Sequence, residues 1–129
     1  MKYLYTLFIG LSLMACSDSD FDCDTEEFTL TGKWKLVEFC MSPGDASCPV
    51  QYPDYEQIFE FGADSTFSFR GESIQCEGNY SIDGNWILLE SNDEQNCINQ
   101  RYYLNPIDAC SLNINPPCIE ACISLYERI

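Results

Sequence analysis

Between Leu30 and the C-terminal Ile129 the chain is a succession of short apolar-rich runs separated by turn-forming residues, with no helical period of any length. The pattern predicts eight strands. The first is Gly32-Lys33-Trp34-Lys35-Leu36-Val37-Glu38-Phe39, followed by a loop over 40–56 that contains Pro43, Gly44, Pro49 and Pro53. Residues 57–61 and 66–70 flank a turn over 62–65. Two-residue alternation places Phe59 with Phe61, and Phe67 with Phe69, on the inward face of that hairpin. Residues 78–82 and 85–90 flank Asp83-Gly84, a dipeptide that supplies the positive φ angles of a type I′ turn. A strand over 100–105 is stopped by Pro106, another over 111–115 by Pro116-Pro117, and the last covers 123–129.

Eight sequential antiparallel strands bury their apolar faces, and lose both exposed sheet edges, by closing on themselves. The expected fold is therefore all-β: an eight-stranded antiparallel up-and-down β-barrel. A two-sheet sandwich satisfies the same alternation and is the alternative.

The N-terminal part has a different character. Lys2 is followed by an uncharged apolar stretch from Leu4 to Met14, shorter than the ~20 residues a membrane-spanning helix needs. A basic start, an apolar core and a small-residue end are the parts of a secretory signal. Leu13-Met14-Ala15-Cys16 resembles a lipobox, the sequence at which bacteria attach diacylglycerol to a cysteine sulfur and cleave just before it. The resemblance implies lipid on Cys16 as the membrane attachment of the mature chain. Residues 17–27 then hold Asp18, Asp20, Asp22, Asp24, Glu26 and Glu27 and no basic residue. An acidic stretch in that place is similar to the surface-export signal of Bacteroidota lipoproteins. It implies an outer-membrane protein displayed at the cell surface, the periplasmic face being the alternative. The organisation is a signal peptide over 1–15, an acidic lipidated tether over 16–27 and one domain over 28–129.

Charge and cysteines sharpen this picture. The 21 acidic residues all lie after residue 15, and loss of Lys2 leaves five basic ones, a formal −16. With no basic cluster to displace counterions from phosphates, nucleic-acid binding is excluded; like-charge repulsion favours a monomer. Setting Cys16 aside, eight cysteines remain: Cys23, Cys40, Cys48, Cys76, Cys97, Cys110, Cys118 and Cys122. In an exported chain an even set of this kind reads as a disulfide framework. A thiolate metal site is the weaker reading, because the chain has no histidine and no CxxC pair.

The opening strand carries a family resemblance. Leu30-Thr31-Gly32-Lys33-Trp34-Lys35-Leu36-Val37-Glu38 resembles the Gly-x-Trp start of lipocalin-like (calycin-type) domains found in secreted Bacteroidota proteins. The Phe-rich hairpin, Gly78-x-Tyr80 and Leu125-Tyr126-Glu127-Arg128 fit the same pattern over about 28–129. The resemblance implies a barrel whose closed end is made by Gly32, Trp34 and Arg128, with the guanidinium over the indole. The eight cysteines depart from that family.

Strand order also constrains the bridges. In an up-and-down barrel successive connections alternate between the ends, which places Cys40, Cys48, Cys76, Cys97, Cys118 and Cys122 at one end, the mouth. Cys23 and Cys110 fall at the other. A disulfide needs Cα atoms within about 7 Å, so Cys23–Cys110 is expected at the closed end and three bridges at the mouth, Cys40–Cys48 first among them.

No Ser-His or Cys-His nucleophile exists without histidine. Glu38, Glu60 and Glu90 fall at strand ends or on outward positions, where they form no dry acid–base pair. No enzyme activity, cofactor or metal is expected. Residues 92–96 form the densest acidic-amide loop but lack a recognised calcium spacing, and Asp64-Ser65-Thr66 reads as a turn that also resembles a Bacteroidota O-glycosylation sequence. Two functions remain. One is a lipocalin-like carrier holding a small apolar or amphipathic molecule against Phe59, Phe61, Phe67, Phe69, Tyr80 and Trp86. The other is an inhibitor- or adhesin-like surface module whose disulfide-fixed loops contact a protein or glycan, with Tyr52, Tyr55, Tyr102 and Tyr103 exposed for that contact. A hollow barrel favours the first and a solid one the second.

Overall fold

A computed structural model of the chain describes residues 22–42, 44, 47–93, 99–118 and 122–129. The signal peptide, Cys16, the first part of the tether, Glu94 to Asn96 and Cys97 lie outside the described residues. The fold is a closed barrel of eight antiparallel strands in sequence order: β1 (Gly32–Met41), β2 (Ile58–Phe61), β3 (Thr66–Arg70), β4 (Gln75–Asp83), β5 (Trp86–Ser91), β6 (Gln100–Pro106), β7 (Ser111–Asn115) and β8 (Cys122–Arg128). β1 closes it by pairing with β2 on one side and β8 on the other. The sandwich alternative is thereby discarded.

Closure turns one face of every strand inward, so period-two alternation becomes a core. Trp34 and Leu36 of β1, Phe59 and Phe61 of β2, Phe67 and Phe69 of β3, and Ile87 and Leu89 of β5 are buried. They meet Tyr102 and Leu104 of β6, Leu112 and Ile114 of β7 and Tyr126 of β8 in one cluster. Gly78, an inward position of β4, has a backbone reason: a Cβ there would run into the Glu90 and Ser91 backbone of β5. The two strands can approach so closely only where a side chain is missing.

Two irregularities redirect side chains. The β1–β8 register shifts between Leu36 and Glu38, where the chain bulges at Val37. Beyond the bulge, alternation is inverted. Phe39, opposite Ser124, packs against the core, while Cys40 lies opposite Ile123, which is exposed. The second concerns the β4–β5 hairpin. Asp83 pairs with Trp86, so the two-residue loop is Gly84-Asn85 rather than Asp83-Gly84. Only Gly84 has positive φ, at 58°. One positive φ at the first central residue is the φ pattern of a type II′ turn and corrects the type I′ expectation; glycine in first place satisfies it alone.

At the β2–β3 turn, the Asp64 carboxylate accepts hydrogen bonds from Thr66 N at 3.2 Å and Thr66 Oγ1 at 2.5 Å, while Ser65 takes φ 66°. These contacts make Asp64-Ser65-Thr66 a self-closed turn and hold the Asp64 carboxyl below the usual range, the Thr66 hydroxyl being the larger cause.

Candidate functional site

The two ends of the barrel are built differently. At one end three short turns meet the chain segment that enters β1. This floor is closed by Trp34, fully buried, whose indole Nε1 donates to the Leu30 carbonyl at 2.8 Å. Arg128 at the end of β8 lies over the ring, its Cζ 4.3 Å from the centroid. Its guanidinium donates to three main-chain carbonyls: Nε to Ala109 (3.1 Å), Nη1 to Thr31 (2.8 Å) and Nη2 to Thr29 (2.6 Å). Burial pushes the Arg128 pKa down, yet the group stays charged at any ordinary pH. Gly32 adopts φ 132°, and a Cβ there would collide with Arg128 Nη1. Gly32, Trp34 and Arg128 thus form the closed end assigned to them.

The entering segment belongs to this floor. Phe28 and Leu30 join the core, with the Phe28 ring 5.9 Å from Trp34. Cys23 is bridged to Cys110 in the β6–β7 turn, Cα atoms 5.3 Å apart. Asp22 accepts from Thr25 Oγ1 at 2.8 Å and Asp24 N at 3.0 Å, and the first of these is the larger cause of its lowered pKa. Residues 22–27, in the second half of the acidic stretch, are exposed and form a turn tied into the domain through Cys23.

Between the ends the barrel is filled by rings. Phe59 makes ring contacts with Phe61 (5.5 Å), Phe69 (4.7 Å), Tyr126 (5.5 Å) and Tyr102 (6.0 Å, edge-on). β2 and β6 are four strands apart in either direction round an eight-stranded barrel. The Phe59–Tyr102 contact therefore crosses the interior from wall to wall. Toward the mouth, Gln57 Nε2 donates to Tyr126 Oη and Gln100 Nε2 to Tyr102 Oη, each at 2.5 Å. Burial raises the pKa of both phenols, that of Tyr126 the more. Near the floor Tyr80 closes edge-on against Phe61 at 5.4 Å and donates its hydroxyl to the Gly62 carbonyl at 2.8 Å.

Of the six proposed ligand-contacting aromatics, Phe59, Phe61, Phe67, Phe69 and Tyr80 converge in this interior. Trp86 does not. It points out of the wall, 38 % exposed, beside Tyr103 at 5.2 Å and with Arg101 Cζ 4.4 Å from its ring centroid. The run Trp86-Ile87-Leu88-Leu89 is apolar throughout, so alternation gave no side. The pairing Ile87↔Tyr102 and Trp86↔Tyr103 settles it, and moves Tyr102 the other way: it is buried, 8 % exposed, and not an exposed contact residue. Tyr52 is exposed, Tyr103 partly so, and Tyr55 is half-buried.

The mouth carries the longer connections and, among the described residues, the bridges Cys40–Cys48 and Cys118–Cys122. Cys76, at the mouth end of β4, is also oxidised. The β1–β2 loop folds back along β1, with Phe39 and Gln51 exchanging main-chain hydrogen bonds of 3.0 and 2.8 Å. Between that loop and β8 lies an apolar cleft of about 230 Å³ lined by Glu38, Phe39, Cys40, Cys48, Val50, Ile123 and Leu125. The outer face of β1–β3 is ionic instead: Glu56 pairs with Lys35 and Arg70, and Glu60 with Lys33. Glu60 and Glu90 are exposed and Glu38 half-buried, each on the outside of the barrel. Of the acidic-amide loop only Asn92 and Asp93 are described, both exposed.

No protein-family model, curated protein or solved structure matches the chain.

Proposed function

We propose that this chain is an exported, lipid-anchored outer-membrane protein, held through Cys16, whose barrel is a rigid scaffold that displays its mouth loops to a protein or glycan partner. The observation that carries this reading is the Phe59–Tyr102 contact across the barrel axis. A ring pair spanning opposite walls leaves no room at that level for a carried molecule, as expected of an eight-stranded barrel filled by its own side chains. Loops fixed by disulfides on a stiff scaffold are where binding then resides. The barrel is read as lipocalin-like on its opening and closing strands, and as a non-enzyme for want of histidine or a dry carboxylate pair. Cell-surface display rests on the acidic stretch after Cys16, with the periplasmic face as the alternative, and a formal −16 favours a monomer that avoids nucleic acid.

The carrier reading keeps one observation in its favour, the apolar cleft beside Cys40 and Cys48. At about 230 Å³ it is smaller than the roughly 300–1,000 Å³ of most small-molecule sites. A native mass spectrum of residues 17–129, secreted into an oxidising periplasm, separates the two. A bare, fully oxidised mass supports the scaffold reading. A retained mass released by organic solvent overturns it in favour of a carrier.

A further inference from the structure

We infer that the Cys23–Cys110 bridge orients the barrel on the membrane, holding the floor toward the bilayer and the mouth loops away from it. The inference rests on the proposed lipid at Cys16. Among the described residues, Cys23 is the first bonded to the floor. Its partner Cys110 donates N–H to Asp108 Oδ1 at 2.8 Å and accepts from Arg128 N at 2.9 Å, so the bridge is welded to the closed end rather than to a loose loop.

Chain length makes the bridge decisive. Seven Cα steps separate Cys16 from Cys23, a reach of at most about 25 Å. A nine-residue strand such as β4, tilted as barrel strands are, spans about 20–25 Å along the axis. Bringing the mouth to the lipid surface would take the whole tether, fully stretched along the wall. With the bridge opened, the next fixed point is Phe28 against Trp34, 12 steps from Cys16. That reach, about 40 Å, permits either end to face the membrane.

Charge sets the standoff and not the orientation. Asp22, Asp24, Glu26, Glu27, Asp64 and Asp108 are all exposed at the floor. They oppose close seating on anionic head groups over a screening length of about 8 Å, so the barrel stands off on its tether without lying flat. The mouth loops are then left clear of lipid.

The test uses the full lipidated protein in phosphatidylcholine vesicles doped with a rhodamine-labelled lipid. A donor dye is placed through p-azidophenylalanine at Ala63 in the floor turn or at Ser73 in the mouth loop between β3 and β4. Transfer from Ala63 at least about twofold above that from Ser73 is expected from a floor-to-mouth offset of about 20 Å. A ten-residue Gly-Ser insertion after Ser17, which leaves every bridge in place, should erase the difference, as should Cys23→Ser with Cys110→Ser. Equal transfer from both sites in the parent protein overturns the orientation, and a difference unchanged by the insertion overturns the bridged tether as its cause. Absence of vesicle association overturns the lipid anchor itself, a separate failure.

Discussion

The Arg128 guanidinium lies 4.3 Å over the Trp34 ring while donating to the carbonyls of Thr29, Thr31 and Ala109. One side chain thus joins the last strand to the entering segment, the first strand and the β6–β7 turn. Arg128→Lys keeps the charge but cannot reach three carbonyls from one planar group. It should cost about 2 kcal/mol, from the lost cation–π contact and hydrogen bonds. Gly32→Ala should cost at least as much, because φ 132° strains any Cβ and the new methyl displaces Arg128. Urea midpoints measure both; a loss below about 0.5 kcal/mol for either would remove the floor from the list of stabilising features.

Phe59 touches four other aromatic rings and is 1 % exposed. Phe59→Ala should destabilise by about 3–5 kcal/mol and leave an apolar cavity. A dry cavity of that kind binds benzene. Calorimetry should therefore detect benzene binding to the variant and none to the parent. Binding to the parent would mean that space already exists inside the barrel.

The bridges should differ in worth. Cys23–Cys110 closes 87 residues of chain, Cys40–Cys48 eight and Cys118–Cys122 four. On chain entropy the first contributes about 4–5 kcal/mol and the last about 2. Pairwise Cys→Ser replacement followed by thermal unfolding checks the order, and similar losses would show that loop entropy is not the main source. Peptide mapping of the mature protein should recover these three bridges. With the Cys16 sulfur acylated, Cys76 should be found with Cys97, the one cysteine left over.

Alkali should destabilise the fold through its buried phenols. Tyr102 and Tyr126 are held neutral above their ordinary pKa by burial. Below about pH 10 both states keep these protons and the contribution is complete. Above it the unfolded chain releases protons that the folded chain retains, so stability falls by up to about 1.4 kcal/mol per pH unit for each tyrosine. Tyr126→Phe should flatten this slope by one proton, read from urea midpoints between pH 9 and 11.5. An unchanged slope would show that Tyr126 ionises in the folded protein as it does unfolded.

Much of this structure is legible along the chain. Alternation at Phe59/Phe61 and Phe67/Phe69 and breaks at Gly62, Gly84 and Pro116 place all eight strands within a few residues. Strand order then sorts cysteines by end, because consecutive connections must alternate. Cys23–Cys110 follows from that parity, which leaves the pairing among the six mouth cysteines open; Cys40–Cys48 is the bridge within one loop. Gly32, Trp34 and Arg128 were found by resemblance to a family opening motif, and the structure brings them together as the floor.

Other features depend on contacts between residues far apart in sequence. Trp86-Ile87-Leu88-Leu89 has no polar partner to mark its outer side, so only pairing with β6 shows that Trp86 faces out and Tyr102 in. The bulge at Val37 inverts alternation within a strand that reads as regular. Whether the barrel is hollow was equally undetermined, since the same inward aromatics line a cavity or fill one. The strand order sets a small circumference, and at that size Phe59 meets Tyr102 from the opposite wall. Local alternation determined which residues form strands; the closure of those strands decided which side chains share space.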